Sequence, residues 1–271
     1  MATMEPTRVS GLQAVLLDLD GVLYVEEQAI TGAQQAVQRL RSSGLALRFV
    51  TNTTTHPRRD ILERLNRLGF EVEPAELATP AALAVARCLE RGHRRVALLM
   101  ADAVKEDFDE LEEGSDDVDA VVVGDLGEAF GYRVLDRAFR QLVAGAELIA
   151  LQKNRYWRTP GGLSLDVGPF VAALEYAAQT EAYVVGKPSP AFFQTVLATI
   201  PAEPGAAVMV GDDVESDVGG AQAAGLAGIL VRTGKYRQDA LEASGVTPRA
   251  VVDSIADVPG VLRAMYRPPD G

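Results

Sequence analysis

Short apolar runs that each stop at a polar or charged residue set the strongest limit on what this chain can fold into. Val15-Leu16-Leu17 stops at Asp18-Leu19-Asp20-Gly21, and Leu45 to Val50 stops at Thr51-Asn52. Tyr183-Val184-Val185 leads into Gly186-Lys187-Pro188-Ser189-Pro190, and Ala206 to Val210 stops at Gly211-Asp212-Asp213. Runs of this kind are the pattern of strands buried on both faces of a parallel sheet. Segments with helical spacing lie between them. Ala33, Ala36, Val37 and Leu40 precede Gly44, Ile61, Leu62, Leu65 and Leu68 lie between Pro57 and Gly69, and Phe192, Phe193, Val196, Leu197 and Ile200 form a third set. Pro at the start and Gly just past the end are helix punctuation. The alternation predicts an α/β fold with a parallel sheet and helices on its faces.

The stretch from about Ala78 to Ala182 has strand-like runs of its own, Val96 to Met100, Val118 to Val123 and Leu148 to Leu151, separated by helical patterns such as Val134, Leu135, Ala138, Phe139 and Leu142. Its length is that of a domain. We therefore expect a discontinuous core, residues 1–77 and 183–271, interrupted by an inserted α/β domain over 78–182.

Charge excludes some partners. The formal net charge of −12 over 271 residues makes the average field repel nucleic-acid phosphates and anionic membrane surfaces. No apolar stretch is long enough to span a bilayer. Cys88 is the only cysteine, so no intramolecular disulfide forms, and a cytoplasmic location is expected. Cys88 sits on the apolar side of a helical pattern and is assigned no chemistry.

In open α/β sheets, ligands bind beyond the carboxyl ends of the strands, so the polar residues there are to be read as one site. Asp18 and Asp20, one residue apart, enter one crevice in different surroundings, which suits one for nucleophile and the other for proton transfer. Asp18 is the candidate nucleophile, since an aspartate is ordinarily ionised at neutral pH and needs only shielding from an anionic phosphate. Asp20 is the candidate acid and base. Mg2+ prefers a few carboxylate oxygens plus water and phosphate, which fits Asp18, a backbone carbonyl near Asp20, and Asp212, with Asp213 or Asp217 completing or orienting the set. Lys187 is a compact charge that would hold nucleophile and phosphate together, and Thr51 with nearby N–H groups would bind the remaining oxygens. Each motif has a plainer reading: Asp-x-Asp-Gly and Gly-Asp-Asp are common loops, Thr-Asn is a common turn, and Lys-Pro often marks a surface. Their joint occurrence, each after an apolar run, favours the functional reading.

Asp18-Leu19-Asp20-Gly21-Val22-Leu23-Tyr24, Val50-Thr51-Asn52, Gly186-Lys187-Pro188-Ser189-Pro190 and Gly211-Asp212-Asp213 resemble the four motifs of the haloacid dehalogenase-like phosphatase superfamily. The insertion resembles the large cap of its NagD-like branch, and the likeness covers nearly the whole chain. It implies a Rossmann-like core, an inserted α/β cap, Mg2+ held at Asp18, the Asp20 position and Asp212, and phosphate contacts from Thr51, Asn52 and Lys187. It also implies a phosphoaspartate on Asp18, a small phosphorylated substrate, and a homodimer through the cap. Close members of the family carry serine where this chain has Asp20. With the carboxylate present, phosphomonoesters with poor leaving groups become plausible substrates.

Specificity is expected from the cap loops around 153–158 and 164–168, where Trp157 reads as a packing residue. His56 and His93 read as solvated. Two rival readings are a phosphoaspartate signalling receiver, which needs no cap, and a catalytically silent phosphate-ester binding protein.

Overall fold

The computed structural model describes residues 11–159 and 161–266; the outer ends of the expected core segments lie outside them. In chain order the strands are β1 (Ala14–Asp18), β2 (Tyr24–Val25), β3 (Gln28–Ala29), β4 (Ala46–Val50), β5 (Leu77–Ala78), β6 (Arg95–Leu99), β7 (Glu112–Glu113), β8 (Ala120–Val123), β9 (Glu147–Ala150), β10 (Tyr156–Thr159), β11 (Gly162–Leu165), β12 (Tyr183–Val184), β13 (Ala207–Gly211), β14 (Ala227–Val231) and β15 (Ala250–Val252). The chain gathers into two compact units. One holds the described residues up to Thr51, Leu62–Ala78, and those from Lys187 onward, and the other holds Asn52–Ile61 and Thr79–Gly186.

The first unit is built on a six-stranded parallel sheet in the order β15-β14-β13-β1-β4-β5. Both β1 and β13 are buried along their whole length. That is why their sequences show no polar alternation: helices cover both faces of a parallel sheet. Helix Ala33–Ser42 buries Ala33, Ala36, Val37 and Leu40, the four positions its spacing marks. Gly44 beyond it takes φ +77°, a left-handed value that suits glycine. Helix Pro190–Leu197 buries Phe192, Phe193, Val196 and Leu197 in the same way. A small antiparallel hairpin, β2 with β3, follows β1.

The second unit has its own five-stranded parallel sheet, β12-β9-β8-β6-β7. Its core joins Val121, Val123, Leu148 and Ala150 of the sheet to Ala138, Leu142, Val171 and Leu174 of helices Tyr132–Val143 and Gly168–Ala178. Tyr183-Val184, read from sequence as leading back into the core, pairs with β9 and extends this second sheet. A run of that length carries no information about its partner, which only tertiary pairing supplies.

Three local readings meet different outcomes. Cys88 is buried on helix Pro80–Arg91, as its pattern indicates. His93 is not solvated: its Nε2 lies 2.6 Å from Glu147 Oε2. Trp157, on the antiparallel β10–β11 hairpin, is 52% exposed rather than a packing residue. Among the described residues, no helix is long and apolar enough to cross a membrane.

Candidate active site

The register of the first sheet assembles the site. Asp18 is the last residue of β1 and pairs with Val50 of β4, so Thr51 is the next residue along on that side. Leu17 pairs with Val210 of β13 on the other side, so Gly211 and Asp212 emerge next to Asp18. Three neighbouring parallel strands thus end together, and their polar residues are buried there: Asp18, Thr51 and Asp212.

Lys187 joins them from a distant part of the chain. Its Nζ donates to Asp18 Oδ1 and to Asp217 Oδ1, both at 2.7 Å, and all three residues are buried. Asp217 stands in a short turn of π-helical form, Val214–Gly219, that follows β13. Its Oδ2 accepts the Asp213 N–H at 3.0 Å. The turn can approach because residue 211 is glycine; a Cβ there would overlap the Asp217 side chain. Asp213 itself caps this turn, its Oδ1 accepting the Glu215 and Ser216 N–H groups at 3.1 and 2.9 Å. Asp217 therefore faces the buried lysine, whereas Asp213 serves the backbone.

Asp20 is half-buried and pairs through its backbone with Tyr24. Burial, followed by the charge on Asp20, raises the Tyr24 phenol well above its ordinary value. Asn52 belongs to the second unit, where its side-chain oxygen lies against Gly186: a Cβ on that glycine would come within 3.1 Å of it.

The electrostatics of this cluster are unbalanced. Asp18, Asp212 and Asp217 bring carboxylate oxygens to within 4.8 Å of one another. Burial pushes Asp212 up to about 7, with the Asp18 and Asp217 charges adding to it and the Lys235 N–H opposing. Asp217 is also raised, by burial first, against the pull of Lys187. Burial disfavours the Lys187 charge, but Asp18 and Asp217 outweigh it and raise its pKa. Asp212 Oδ1 is buried and has no hydrogen-bond partner. An all-oxygen donor set with an excess of negative charge and one unpartnered buried oxygen fits a hard divalent cation.

Thr233 and Lys235, beyond β14, have no site role in the sequence reading although they follow an apolar strand like the others. Lys235 N–H donates to Asp212 Oδ2 at 2.6 Å, and Thr233 Oγ1 donates to the Gly21 carbonyl. The rule that selected the other strand ends, applied to Gly228 to Val231, points to them.

Comparison with known proteins supplies the family. A family model described as "Haloacid dehalogenase-like hydrolase" matches residues 15–112, and one described as "HAD-hyrolase-like" matches residues 184–258. The human haloacid dehalogenase-like hydrolase domain-containing protein 2 is 49% identical over 227 residues, covering 83% of this chain and 86% of its own. The human phospholysine phosphohistidine inorganic pyrophosphate phosphatase is 41% identical over 261 residues, covering 94% and 96%. NagD from E. coli K-12 shares the fold, with a TM-score of 0.80 at 24% identity over 91% of this chain and 98% of its own. The glycerol phosphate phosphatase of Mycobacterium tuberculosis, solved in complex with magnesium, has a TM-score of 0.76 at 29% identity, over 94% and 77%. With relatives this similar over most of its length, the chain belongs to the haloacid dehalogenase-like hydrolase family, in its NagD-like fold.

Proposed function

We propose that this hydrolase is a magnesium-dependent phosphatase that cleaves a small phosphorylated metabolite, pyrophosphate or a phosphoramidate through a phosphoaspartate on Asp18. The observation that carries this reading is the buried excess of carboxylate: Asp18, Asp212 and Asp217 crowd together, Lys187 pairs with Asp18 and Asp217, and Asp212 Oδ1 is left without a partner. Asp18 and Asp212, with the backbone at Asp20, would hold Mg2+, and Asp217 and Asp213 would fix the surrounding groups. Bound there, the cation supplies screening between the nucleophile and an anionic phosphate.

The residues divide the remaining work. Lys187 engages Asp18 Oδ1, and on this reading Oδ2 is the oxygen that attacks phosphorus. Attack forms the Asp18–phosphorus bond as the bond from phosphorus to the leaving oxygen, or to the leaving nitrogen of a phosphoramidate, breaks, and Asp20 gives that atom its proton. The Asp20 carboxylate then takes a proton from water as the water oxygen attacks the phosphoaspartate, releasing phosphate and restoring both residues. Thr51, Asn52 and Lys187 would receive the transferred phosphate oxygens. The inserted domain would act as the specificity cap.

Two further points belong to the same reading. The exposed apolar residues Tyr156, Leu163 and Leu165 of the β10–β11 hairpin support a homodimer formed through the cap. A single buried cysteine suits the cytoplasm.

The decisive experiment is a phosphate-release screen over phosphorylated metabolites, pyrophosphate and phosphohistidine, with Mg2+ or with EDTA. Release should require Mg2+, vanish in Asp18→Asn and fall strongly in Asp20→Asn. No release from any compound by the wild type, or equal release by Asp18→Asn, would overturn the reading.

A further inference from the structure

The chain leaving β14 does something that the strand-end rule alone does not explain. In the sheet order, β14 is separated from β1 by β13, so these strand ends are two interstrand spacings apart, about 10 Å. Residues 233–235 nevertheless make contacts to both neighbouring strand ends. The Thr233 hydroxyl donates to the carbonyl of Gly21, on the turn that follows β1, and the Lys235 N–H donates to Asp212 Oδ2, just beyond β13, at 2.6 Å. Between these two bonds the chain passes through Gly234, at φ +60°. Gly21, at φ +78°, stands opposite it. A Cβ on either glycine would overlap Asp212 Oδ2, so two bare backbones lie against the carboxylate.

This arrangement makes the two oxygens of Asp212 inequivalent. A carboxylate at the end of a short side chain turns readily about its last bond, through a broad and roughly two-fold energy profile. Here Oδ2 is held by the Lys235 amide and wedged by Gly21 and Gly234, whereas Oδ1 is buried without a partner. Only one orientation leaves the unpartnered oxygen in place, and the loop selects it.

We propose that Thr233 is a positioning residue for the cation site: its hydroxyl ties the loop beyond β14 to Gly21, which presses the Lys235 amide onto Asp212 and fixes which carboxylate oxygen is offered to the metal. The proposal rests on the cation reading given above and deepens it. Thr233 touches neither metal nor substrate. Its effect passes through backbone groups, so it should appear in cation affinity rather than in the chemistry of an occupied site.

The test compares wild type, Thr233→Val, Thr233→Ser and Asp212→Asn by isothermal calorimetry with Mg2+ alone, together with unfolding midpoints in EDTA. Valine keeps the shape and removes the hydroxyl; serine keeps the hydroxyl. Losing the bond should weaken Mg2+ binding about tenfold in Thr233→Val, with Thr233→Ser within about twofold of wild type. The Mg2+ concentration for half-maximal turnover should rise by the same factor, while kcat at saturating Mg2+ stays within about threefold. Should Thr233→Val not fold, Thr233→Ala replaces it. Wild-type affinity in the valine or alanine variant overturns the proposal, as does serine binding no better than valine. If the wild type itself binds no Mg2+, the cation reading fails first; if the wild type binds, Asp212→Asn does not, and Thr233→Val matches the wild type, only the role of Thr233 fails.

Discussion

The two parallel sheets use their strand ends in opposite ways. In the first, the carboxyl ends of β1, β4 and β13 carry Asp18, Thr51 and Asp212, all buried, and buried Lys187 bridges Asp18 to Asp217. In the second, the corresponding ends of β6, β8 and β9 are followed by Met100, Gly124 and Leu151. These pack so closely that a Cβ on Gly124 would come within 2.8 Å of Leu151 Cδ1 and 3.0 Å of Met100 Cβ. A group of paired charges sits at the other edge, where the strands begin. Glu147 there receives Arg87 Nη2 at 2.7 Å and lies 2.6 Å from His93 Nε2, and Asp119 accepts the N–H groups of Arg94 and Arg95 at 2.8 and 2.9 Å. One sheet stores an electrostatic deficit and the other resolves its charges in pairs. Similar architecture, then, does not mark a site; an unbalanced buried cluster does.

The contrast makes predictions in order of size. The sharpest break is Asp18→Asn, which should lower turnover by about 10⁴-fold or more while leaving the unfolding midpoint no lower than wild type, since it removes a buried charge from a crowded site. A fall in midpoint matching the fall in turnover would mean that the first cluster is structural like the second.

Asp212 tests the deficit directly. It is an acid whose folded-state value, about 7, lies above its ordinary 3.8. Protonation therefore favours the folded, metal-free protein; that stability is complete below the unfolded value and is lost as pH rises towards 7. In EDTA, wild type should lose about 2–4 kcal/mol relative to Asp212→Asn between pH 4 and pH 7. Mg2+ should recover the loss in wild type alone. Denaturant titrations showing a pH-independent difference between the two proteins would remove the deficit from the account.

Glu147→Gln should behave in the reverse sense. It breaks a half-buried pairing with Arg87 and His93 and should cost about 1–2 kcal/mol of stability, with turnover at a permissive temperature within about twofold of wild type. Activity lost without stability lost would place function in the second sheet. Smallest of all, the double variant Leu163→Ser, Leu165→Ser on the exposed hairpin should change stability by no more than about 0.5 kcal/mol. Light scattering on it should show a shift from dimer to monomer; an unchanged mass would remove the hairpin from the dimer proposal.

What the sequence by itself determined was the set of buried strands and what stands at their ends. Val15 to Leu17 and Ala206 to Val210 carry no polar residue, Leu45 to Val50 is interrupted only by Arg48, and a chain that buries such runs places Asp18, Thr51 and Asp212 at the carboxyl edge of one sheet. The helices were legible for the same reason, as in Ala33, Ala36, Val37 and Leu40, because spacing along one element reports which of its sides is buried. What only the tertiary structure decided was pairing. Tyr183-Val184 joined the second sheet, Lys187 found Asp217 as well as Asp18, His93 found Glu147, and Thr233 and Lys235 closed over Gly21 and Asp212. Such contacts join residues that are far apart in the chain, and a one-dimensional pattern of apolar and polar residues holds no record of which distant partner, or which oxygen of a carboxylate, each will meet.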